Sequence, residues 1–326
     1  MKIFYAVQAT GNGHISRCME LLPYLQQYGQ VDIFLSGGNS QLRLEAPIKY
    51  RSRGLSLFYS CHGGLNYWKT AWSVNPVYLR RQISHLPVEE YDLILNDYDY
   101  LTAAACRLKN LRSIHFGHQA SFQSLQVPRP PQISRTGEWL LKRFAPAEQY
   151  LGLHFKPYDD FILPPVIKKE ILEAQPRDQG HITVYLPSYC QRQLWQLFSG
   201  LKDFKFHIFS IYHAQSSRQD NICWMPVDRR LFNSSLINCR GLIAGAGFET
   251  PAEALHLGKQ LLAIPIRGQY EQCCNAAALQ QMGVMTLDVA GRDFPLQFKK
   301  WMRDYTPLQV DYSRTVPQIM QRLFRT

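Results

Sequence analysis

Long apolar runs are missing from this chain of 326 residues. No stretch reaches the roughly 18 apolar residues that a membrane-spanning helix needs. The apolar stretch at the N-terminus is too short for a secretory signal and is typical of a strand. We therefore predict a cytoplasmic protein, and peripheral attachment to the inner face of a membrane stays open.

Closely spaced metal-binding cysteines are missing as well. The chain has eight cysteines, which are scattered and form no C-x-x-C pair. Zinc sites and disulfide frameworks show tighter spacing. Buried, reduced thiols are the expected state, and no metal site is predicted.

Acidic residues are few, because 25 Asp and Glu stand against 36 Lys and Arg and give a net charge of +11. A basic chain attracts nucleic acid, anionic lipid or phosphorylated ligands. The sequence has no recognisable nucleic-acid module and no dense basic block, so no nucleic-acid partner is expected. An anionic membrane surface, a nucleotide ligand and a merely solvated basic surface all stay open.

Short apolar segments alternate with amphipathic stretches, a pattern typical of parallel sheets covered by helices on both faces. The pattern starts at residue 1 and again near residue 181, and a proline-containing polar linker lies between. We predict an α/β fold with two doubly wound, Rossmann-like domains that face each other across a cleft. The predicted units are an N-terminal domain 1–160, a linker 161–180, a C-terminal domain 181–310, and a helix 311–326 that is a candidate to return to the N-terminal domain. The predicted strands are 2–7, 31–35, 92–96, 112–116, 182–186, 205–210, 240–244 and 260–264, and the predicted helices include 14–28, 99–109, 270–282 and 311–325.

The strongest chemical pattern lies at 240–276, where a strand runs into Gly245-Ala246-Gly247 and a helix follows. Thr250, Pro251 and Glu253 predict a capping box at the start of that helix, which needs no ligand. The same helix N-terminus, with free N–H groups and glycines beside it, also suits a phosphate. The local pattern leaves both interpretations open.

A longer match follows from the same stretch, which resembles the donor-site signature of GT-B glycosyltransferases that use UDP-sugars. These include the plant and animal UDP-glycosyltransferases and the bacterial transferase that makes lipid II. The matching order is Gly247-Phe248-Glu249-Thr250, Glu253, Gly258, Pro265, Glu271-Gln272 and Asn275-Ala276.

The resemblance implies a role for each matching part. The diphosphate is expected at the loop and helix start made by Gly245, Ala246, Gly247, Phe248 and Thr250. Glu253 would bind ribose, and Glu271 and Gln272 would bind the sugar hydroxyls.

Upstream, "CWMPVDRRLF" is similar to the first part of the same signature. This implies that Trp224 stacks on uracil and that the Met225 backbone pairs with the edge of the base. Val227 stands where the signature has glutamine, and Gly245 where it has a phosphate-binding histidine. One ribose contact and one phosphate contact of the signature are therefore missing.

The N-terminal stretch "ATGNGHISR" follows the first predicted strand and resembles the G-H-x-x-P/R element of the same families, with Gly13, His14 and Arg17 matching. There the histidine is the general base for the acceptor hydroxyl. Histidine suits that role at neutral pH, and a carboxylate on its far nitrogen fixes the tautomer. Asp97 is the first candidate for this carboxylate, and Asp99 is weaker because we expect it to cap a helix.

Two further features are expected around the cleft. The pair His118-Gln119 matches an element of bacterial members, and with Gly11 it is expected to line the acceptor side. Residues 61–85 and 121–143 are aromatic and basic. They predict either a hydrophobic, cationic rim for a lipid-linked or membrane-proximal acceptor or an ordinary helix and loop.

Together these patterns predict an inverting, metal-independent glycosyltransferase that moves a hexose from a UDP-sugar to a hydroxyl acceptor. It needs no cofactor besides the UDP-sugar substrate. Two alternatives stay open: a UDP-sugar 2-epimerase or hydrolase on the same scaffold, and a non-catalytic protein that binds nucleotide-sugars.

Overall fold

The computed structural model describes residues 1–9, 11–38, 44, 46–54 and 76–324. Within them the N-terminal domain holds a parallel sheet of seven strands in the order β3-β2-β1-β4-β5-β6-β7. The continuous apolar run of β1 is buried on both faces, as expected for a central parallel strand. The strands are β1 Lys2–Gln8, β2 Gln30–Ser36, β3 Ile48–Ser52, β4 Leu93–Asp97, β5 Ile114–Gly117, β6 Gln149–Leu153 and β7 Ile162–Leu163.

The C-terminal domain repeats this architecture with a second seven-stranded sheet, in the order β10-β11-β9-β8-β12-β13-β14. All neighbouring pairs are parallel except the edge pair of β10 and β11. The strands are β8 His181–Tyr185, β9 Lys205–Phe209, β10 Ser217–Gln219, β11 Ile222–Met225, β12 Gly241–Ala244, β13 Gln260–Ala263 and β14 Met285–Thr286.

Helices cover both faces of the two sheets. In the N-terminal part they are α1 Asn12–Leu25, α2 Pro76–His85, α3 Tyr100–Lys109, α4 Arg135–Arg143 and α5 Lys169–Leu172, with short 3-10 helices Val88–Glu90 and Gln119–Gln123. In the C-terminal part they are α6 Gln191–Phe198, α7 Arg229–Asn238, α8 Glu249–His256, α9 Tyr270–Gln281, α10 Phe294–Asp304 and α11 Thr315–Phe324.

The C-terminal helix lies on the N-terminal domain. α11 packs against α1 and β7, and the rings of Tyr28 and Phe324 stack with centroids 3.9 Å apart. Tyr312, just before α11, donates a hydrogen bond from its hydroxyl to the carbonyl of Phe155. The end of the chain therefore ties the two domains together.

The structure contains strands that the sequence patterns did not predict, namely β3, β6, β7, β10, β11 and β14. They are short or partly polar, and several lie at sheet edges, where burial on both faces is not required. The apolar-run criterion misses such strands because it detects only fully buried ones.

The predicted capping box is wrong. α8 begins at Glu249 with Phe248 as its N-cap, and no side chain caps it, so Thr250 and Pro251 lie within its first turn. Phe248 stacks on His118 of the other domain, with centroids 4.0 Å apart and planes 9° apart. This contact fixes the loop so that the helix starts earlier than the local sequence indicates.

Candidate active site

The candidate site lies where the carboxyl ends of β1 and β4 meet the amino end of α1. Parallel strands end at one edge of a sheet, where ligands bind in such folds. β1 pairs with β4 so that Val7 lies opposite Asp97. α1 follows β1 closely and carries Gly13, His14 and Arg17 near its start, so the topology places His14 and Arg17 beside Asp97.

A buried cluster joins these three side chains. Asp97 Oδ1 lies 2.8 Å from His14 Nδ1. Arg17 donates to the same carboxylate twice, from Nε to Oδ2 at 3.0 Å and from Nη2 to Oδ1 at 2.8 Å. Burial alone would raise the pKa of Asp97, but Arg17 and His14 outweigh it and lower this pKa to about 2. Asp97 is therefore a carboxylate at any working pH.

The contact with Asp97 assigns the tautomer of His14. Because an ionised carboxylate only accepts, Nδ1 carries the proton and donates it to Asp97. Nε2 is then the basic nitrogen of the neutral ring. Arg17 Nη2 lies 3.1 Å from Nδ1, and because arginine only donates, this is an approach of two donors that share one carboxylate oxygen.

Tyr98 forms the back wall of this cluster. Its ring is nearly parallel to that of His14, with centroids 6.4 Å apart, and it also stacks on His115. The φ of Tyr98 is +61°, a left-handed conformation that a bulky residue adopts only when its surroundings hold it. Burial lowers the pKa of His115 to about 4, so that ring is neutral.

The facing wall comes from the C-terminal domain and encloses a cavity of about 200 Å³ with the N-terminal wall. A Cβ added at Gly247 would meet no atom of the described residues within 4 Å, so they leave open space beside the backbone just before α8. We call this space the interdomain cavity. Its lining residues are Asn12, Gly13, Ser16, Lys168, Tyr185, Val227, Asp228, Arg229, Phe232, Asn233, Gly247, Phe248, Glu249 and Thr250.

Two cations, Lys168 and Arg229, and two carboxylates, Asp228 and Glu249, line the interdomain cavity. Lys168, from the linker, lies 3.0 Å from Glu253, and Arg229 lies 3.2 Å from Glu20 across the domain boundary. Asp228 caps α7 by accepting from the N–H of Leu231. The cations thus already lie beside carboxylates and remain within reach of the cavity.

One ion pair crosses the domain boundary directly at His14. Arg17 donates from Nη1 to Glu249 Oε1 at 2.7 Å. A Cβ at Gly13 would collide with the carboxylate of Glu249, so only glycine permits this approach. Glu249 and the His14 cluster therefore belong to one contiguous site.

His118 and Gln119 lie deeper in the same boundary. His118 Nδ1 faces the carbonyl of Leu153 at 3.0 Å, and Nε2 faces Asn275 Oδ1 at 2.8 Å. Gln119 donates to Glu271 at 3.1 Å. Burial lowers the pKa of His118. Neither residue lines the interdomain cavity as described; both fasten the two domains together.

Seven of the predicted donor residues do not line the interdomain cavity, namely Trp224, Met225, Gly245, Ala246, Glu253, Glu271 and Gln272. Glu253 is 1% exposed and its carboxylate faces Lys168. Burial raises the pKa of Glu253, and Lys168 opposes that rise. Gln272 accepts from the N–H of Ile266 at 2.9 Å and packs against Gly245. Glu271 faces Gln119 instead.

Trp224, which was expected to stack on uracil, is not among the residues that line the interdomain cavity. Trp224 is 2% exposed, belongs to the core beneath α6, and stacks on His213 with centroids 5.0 Å apart. Trp224 instead lines a different cavity of about 620 Å³ together with Trp195 and Tyr212. The carbonyl of Met225 accepts from Ser210. Val227 and Asp228, which follow β11, line the interdomain cavity instead.

The sequence patterns did not predict four features of the site: Ser16, Lys168, Arg229 and the cross-domain contact of Glu249. Lys168 lies in the linker, and Arg229 lies at the start of α7, five residues after Trp224. No spacing rule connects these residues to the glycine loop. Only the assembled domains bring them to one cavity.

The predicted acceptor rim is partly described. Residues 55–75 lie outside the described part of the chain. α2 buries no residue and exposes Val77, and the segment 121–143 exposes Leu125, Ile133 and Trp139, the first at 87%. Basic residues accompany them, for example Arg135 at the start of α4. None of the described helices is long and apolar enough to cross a membrane.

Comparisons with known proteins agree with this architecture. The family model described as "Glycosyl transferase family 1" matches residues 1–294. No curated protein sequence shows significant similarity to the chain.

Many solved structures are similar to it. The glycosyltransferase SnogD from Streptomyces nogalater has 14% identity and a TM-score of 0.55, with 99% of each chain covered. MurG from Acinetobacter baumannii has 12% identity and a TM-score of 0.57, with 100% of this chain and 99% of that chain covered. UGT89C1 from Arabidopsis thaliana, solved with quercetin, has 13% identity and a TM-score of 0.58, with 99% and 94% covered. At such identities the likeness shows the fold, which is that of GT-B glycosyltransferases.

Proposed function

This chain belongs to glycosyltransferase family 1, and from that premise we propose that it is an inverting, metal-independent transferase that moves a hexose from a UDP-sugar to a hydroxyl acceptor. One observation carries the proposal. His14, joined to Asp97 at 2.8 Å, directly follows Asn12 and Gly13, which line the interdomain cavity together with the start of α8. A proton acceptor beside one wall and an anion site on the other is the arrangement that we infer from these contacts.

His14 is proposed as the general base. A hydroxyl is a weak nucleophile at neutral pH and needs a group that takes its proton as the new bond forms. Nε2 is the free basic nitrogen of His14 because Nδ1–H is held by Asp97. The contact with Asp97 also holds the imidazole ring in the orientation that this role requires.

The wall before α8 is proposed to hold the diphosphate of the donor. Gly247 leaves space beside the backbone, and the helix N-terminus offers N–H groups and a positive dipole end. Lys168 and Arg229 line the same cavity and add positive charge. These groups would stabilise the departing diphosphate, the role that a divalent metal has in other transferases.

The proposed reaction is a single displacement that inverts the configuration at the anomeric carbon of the donor sugar. The acceptor oxygen attacks the anomeric carbon, the bond from that carbon to the phosphate oxygen breaks, and its electron pair leaves with UDP. The acceptor proton goes to Nε2 of His14. In this proposal the base and the leaving group act from opposite sides of the sugar, so that one displacement reverses the configuration at the anomeric carbon.

The acceptor is proposed to be lipid-linked or membrane-proximal, and the protein to work at an anionic, inner membrane face from the cytoplasm. The exposed Leu125, Ile133 and Trp139 beside basic residues support this. Apolar side chains rimmed by positive charge suit the interface of an anionic bilayer.

The donor class is tested by thermal shift. Stabilisation by UDP and not by ADP, GDP or dTDP is expected, because a ligand stabilises the folded state that binds it. Equal shifts with all four nucleotides, or none, would overturn the assignment of UDP.

Transfer is tested with UDP-glucose, UDP-galactose and UDP-N-acetylglucosamine, each offered with a detergent-solubilised lipid extract and with a panel of phenols. His14→Ala is expected to lose transfer, and His85→Ala, which changes an exposed histidine of α2, is expected to keep it. Normal turnover in folded His14→Ala protein would show that His14 is not the general base. Sugar consumption without any acceptor would favour a hydrolase or epimerase instead.

A further inference from the structure

Arg17 already neutralises the negative charge of Asp97 before His14 takes up any proton. Arg17 holds both oxygens of Asp97, at 3.0 and 2.8 Å, and these two side chains are almost completely buried. A buried aspartate that pairs only with histidine compensates the imidazolium formed during catalysis. Here the pair of Arg17 and Asp97 is neutral by itself. Protonated His14 would therefore add an unmatched positive charge to a buried cluster, which is costly.

A second carboxylate reaches the cluster from the other domain. Glu249 accepts from Arg17 Nη1 at 2.7 Å, and its close approach depends on the absence of a side chain at Gly13. With Glu249 included, one arginine faces two carboxylates. The cluster then carries one net negative charge while His14 is neutral, and it becomes neutral when His14 is protonated.

We propose that Glu249 is a positioning residue that, through Arg17, supplies the compensating charge for the imidazolium of His14. The proposal rests on the proposed function, since it requires His14 to be the base. It follows that the base reaches full strength only when the two domains are closed on each other, because Glu249 comes from the donor-side wall.

The other groups around His14 do not supply this charge. Tyr98 and His115 face it from the end of β4 and from β5. Burial keeps His115 neutral by lowering its pKa to about 4. Burial also raises the pKa of Tyr5 and of Cys18, so both stay protonated and neutral. Among the described residues packed on the cluster, Asp97 and Glu249 are the carboxylates.

The test compares the pH profile of kcat/KM in Glu249→Gln with that of the wild type. Removing the negative charge makes protonation of the base less favourable, so the midpoint of the acidic limb is expected to move to lower pH by about one unit. A weaker base also lowers the plateau kcat several-fold. The donor KM is not expected to rise, since a carboxylate near the diphosphate has been removed.

Glu20→Gln is the matched control. It also replaces a carboxylate by an amide and breaks an ion pair between the domains, at 3.2 Å from Arg229, but it lies away from Asp97. The acidic limb of this variant is expected to stay in place. A parallel shift in both variants would mean that the effect comes from weaker domain contact or overall charge, and would overturn the proposal.

Glu249→Asp keeps the charge and is expected to leave the acidic limb near its wild-type position. An unchanged limb in Glu249→Gln would also overturn the proposal. If His14→Ala loses transfer at the same time, only the role of Glu249 fails and the proposed function stands. If His14→Ala retains turnover, the proposed function itself fails.

Discussion

The two walls of the cleft differ in how their polar groups are paired. On the N-terminal wall His14, Arg17 and Asp97 are buried and bonded to one another at 2.8 to 3.0 Å. On the C-terminal wall the backbone at Gly247 faces open space. Proton transfer requires a fixed geometry between donor and acceptor, whereas an incoming anion requires room and unspent N–H groups. The contrast agrees with the proposed division, in which the N-terminal wall takes the proton and the C-terminal wall holds the diphosphate.

The largest effect is expected from Asp97→Asn. The amide cannot accept from both His14 and Arg17 as the carboxylate does, so His14 loses its fixed orientation and tautomer and kcat should fall by about 10²- to 10⁴-fold. Asp99→Asn is the control on the same turn, because Asp99 caps α3 by accepting from the N–H of Thr102 at 2.7 Å. Steady-state transfer assays on both variants measure the difference. Equal losses of kcat would mean that Asp97 acts only through folding.

The next effect concerns Lys168 on the opposite wall. Lys168→Met should raise the donor KM about tenfold, and should also destabilise the protein by about 3 kcal/mol because Glu253 is left as a buried, unpaired carboxylate. The double variant Lys168→Met/Glu253→Gln should regain most of that stability and keep the weak donor binding. Denaturant unfolding and donor titration separate the two effects. Full recovery of donor affinity in the double variant would exclude Lys168 as a donor contact.

A pH effect of moderate size is expected on stability. The pKa of Asp97 is lowered from 3.8 to about 2 in the folded protein. A lowered pKa contributes stability that is present above the unfolded value and is lost as the pH falls through the folded value. The loss between pH 4 and pH 2 should amount to about 2 kcal/mol. Unfolding of the wild type and of Asp97→Asn in this range measures it, and an equally steep loss in both proteins would contradict the assignment.

The smallest effect is expected from Gly247→Ala. In the described part of the chain no atom lies within 4 Å of the added Cβ, so the melting temperature should hardly change, while the donor KM should rise several-fold if a diphosphate approaches this backbone. Gly200→Ala, also at an open position in the C-terminal domain, should change neither. An unchanged donor KM in Gly247→Ala would move the diphosphate away from this turn.

Much of the fold was predictable, because buried parallel strands leave continuous apolar runs. β1, β4, β12 and β13 follow such runs closely. The approach of His14 to Asp97 was also predictable, since both follow or end strands of one parallel sheet and therefore meet at one edge.

The rest of the site depends on contacts that no local pattern contains. Lys168 meets Glu253 and Arg17 meets Glu249 across 85 and 232 residues of sequence, respectively. α8 begins before the N-cap that the sequence predicted, and Phe248, which precedes it, stacks on His118 of the other domain. Trp224 turns away from the cleft because its face of β11 packs beneath α6.

The most direct test of the division between the two walls is calorimetric titration of UDP into the His14→Ala protein, with single-turnover transfer measured on the same preparation. We expect a Kd for UDP equal to that of the wild type and a transfer rate reduced at least about 100-fold. A much weaker Kd together with a small loss of transfer would contradict it, because His14 would then serve the donor and not the proton.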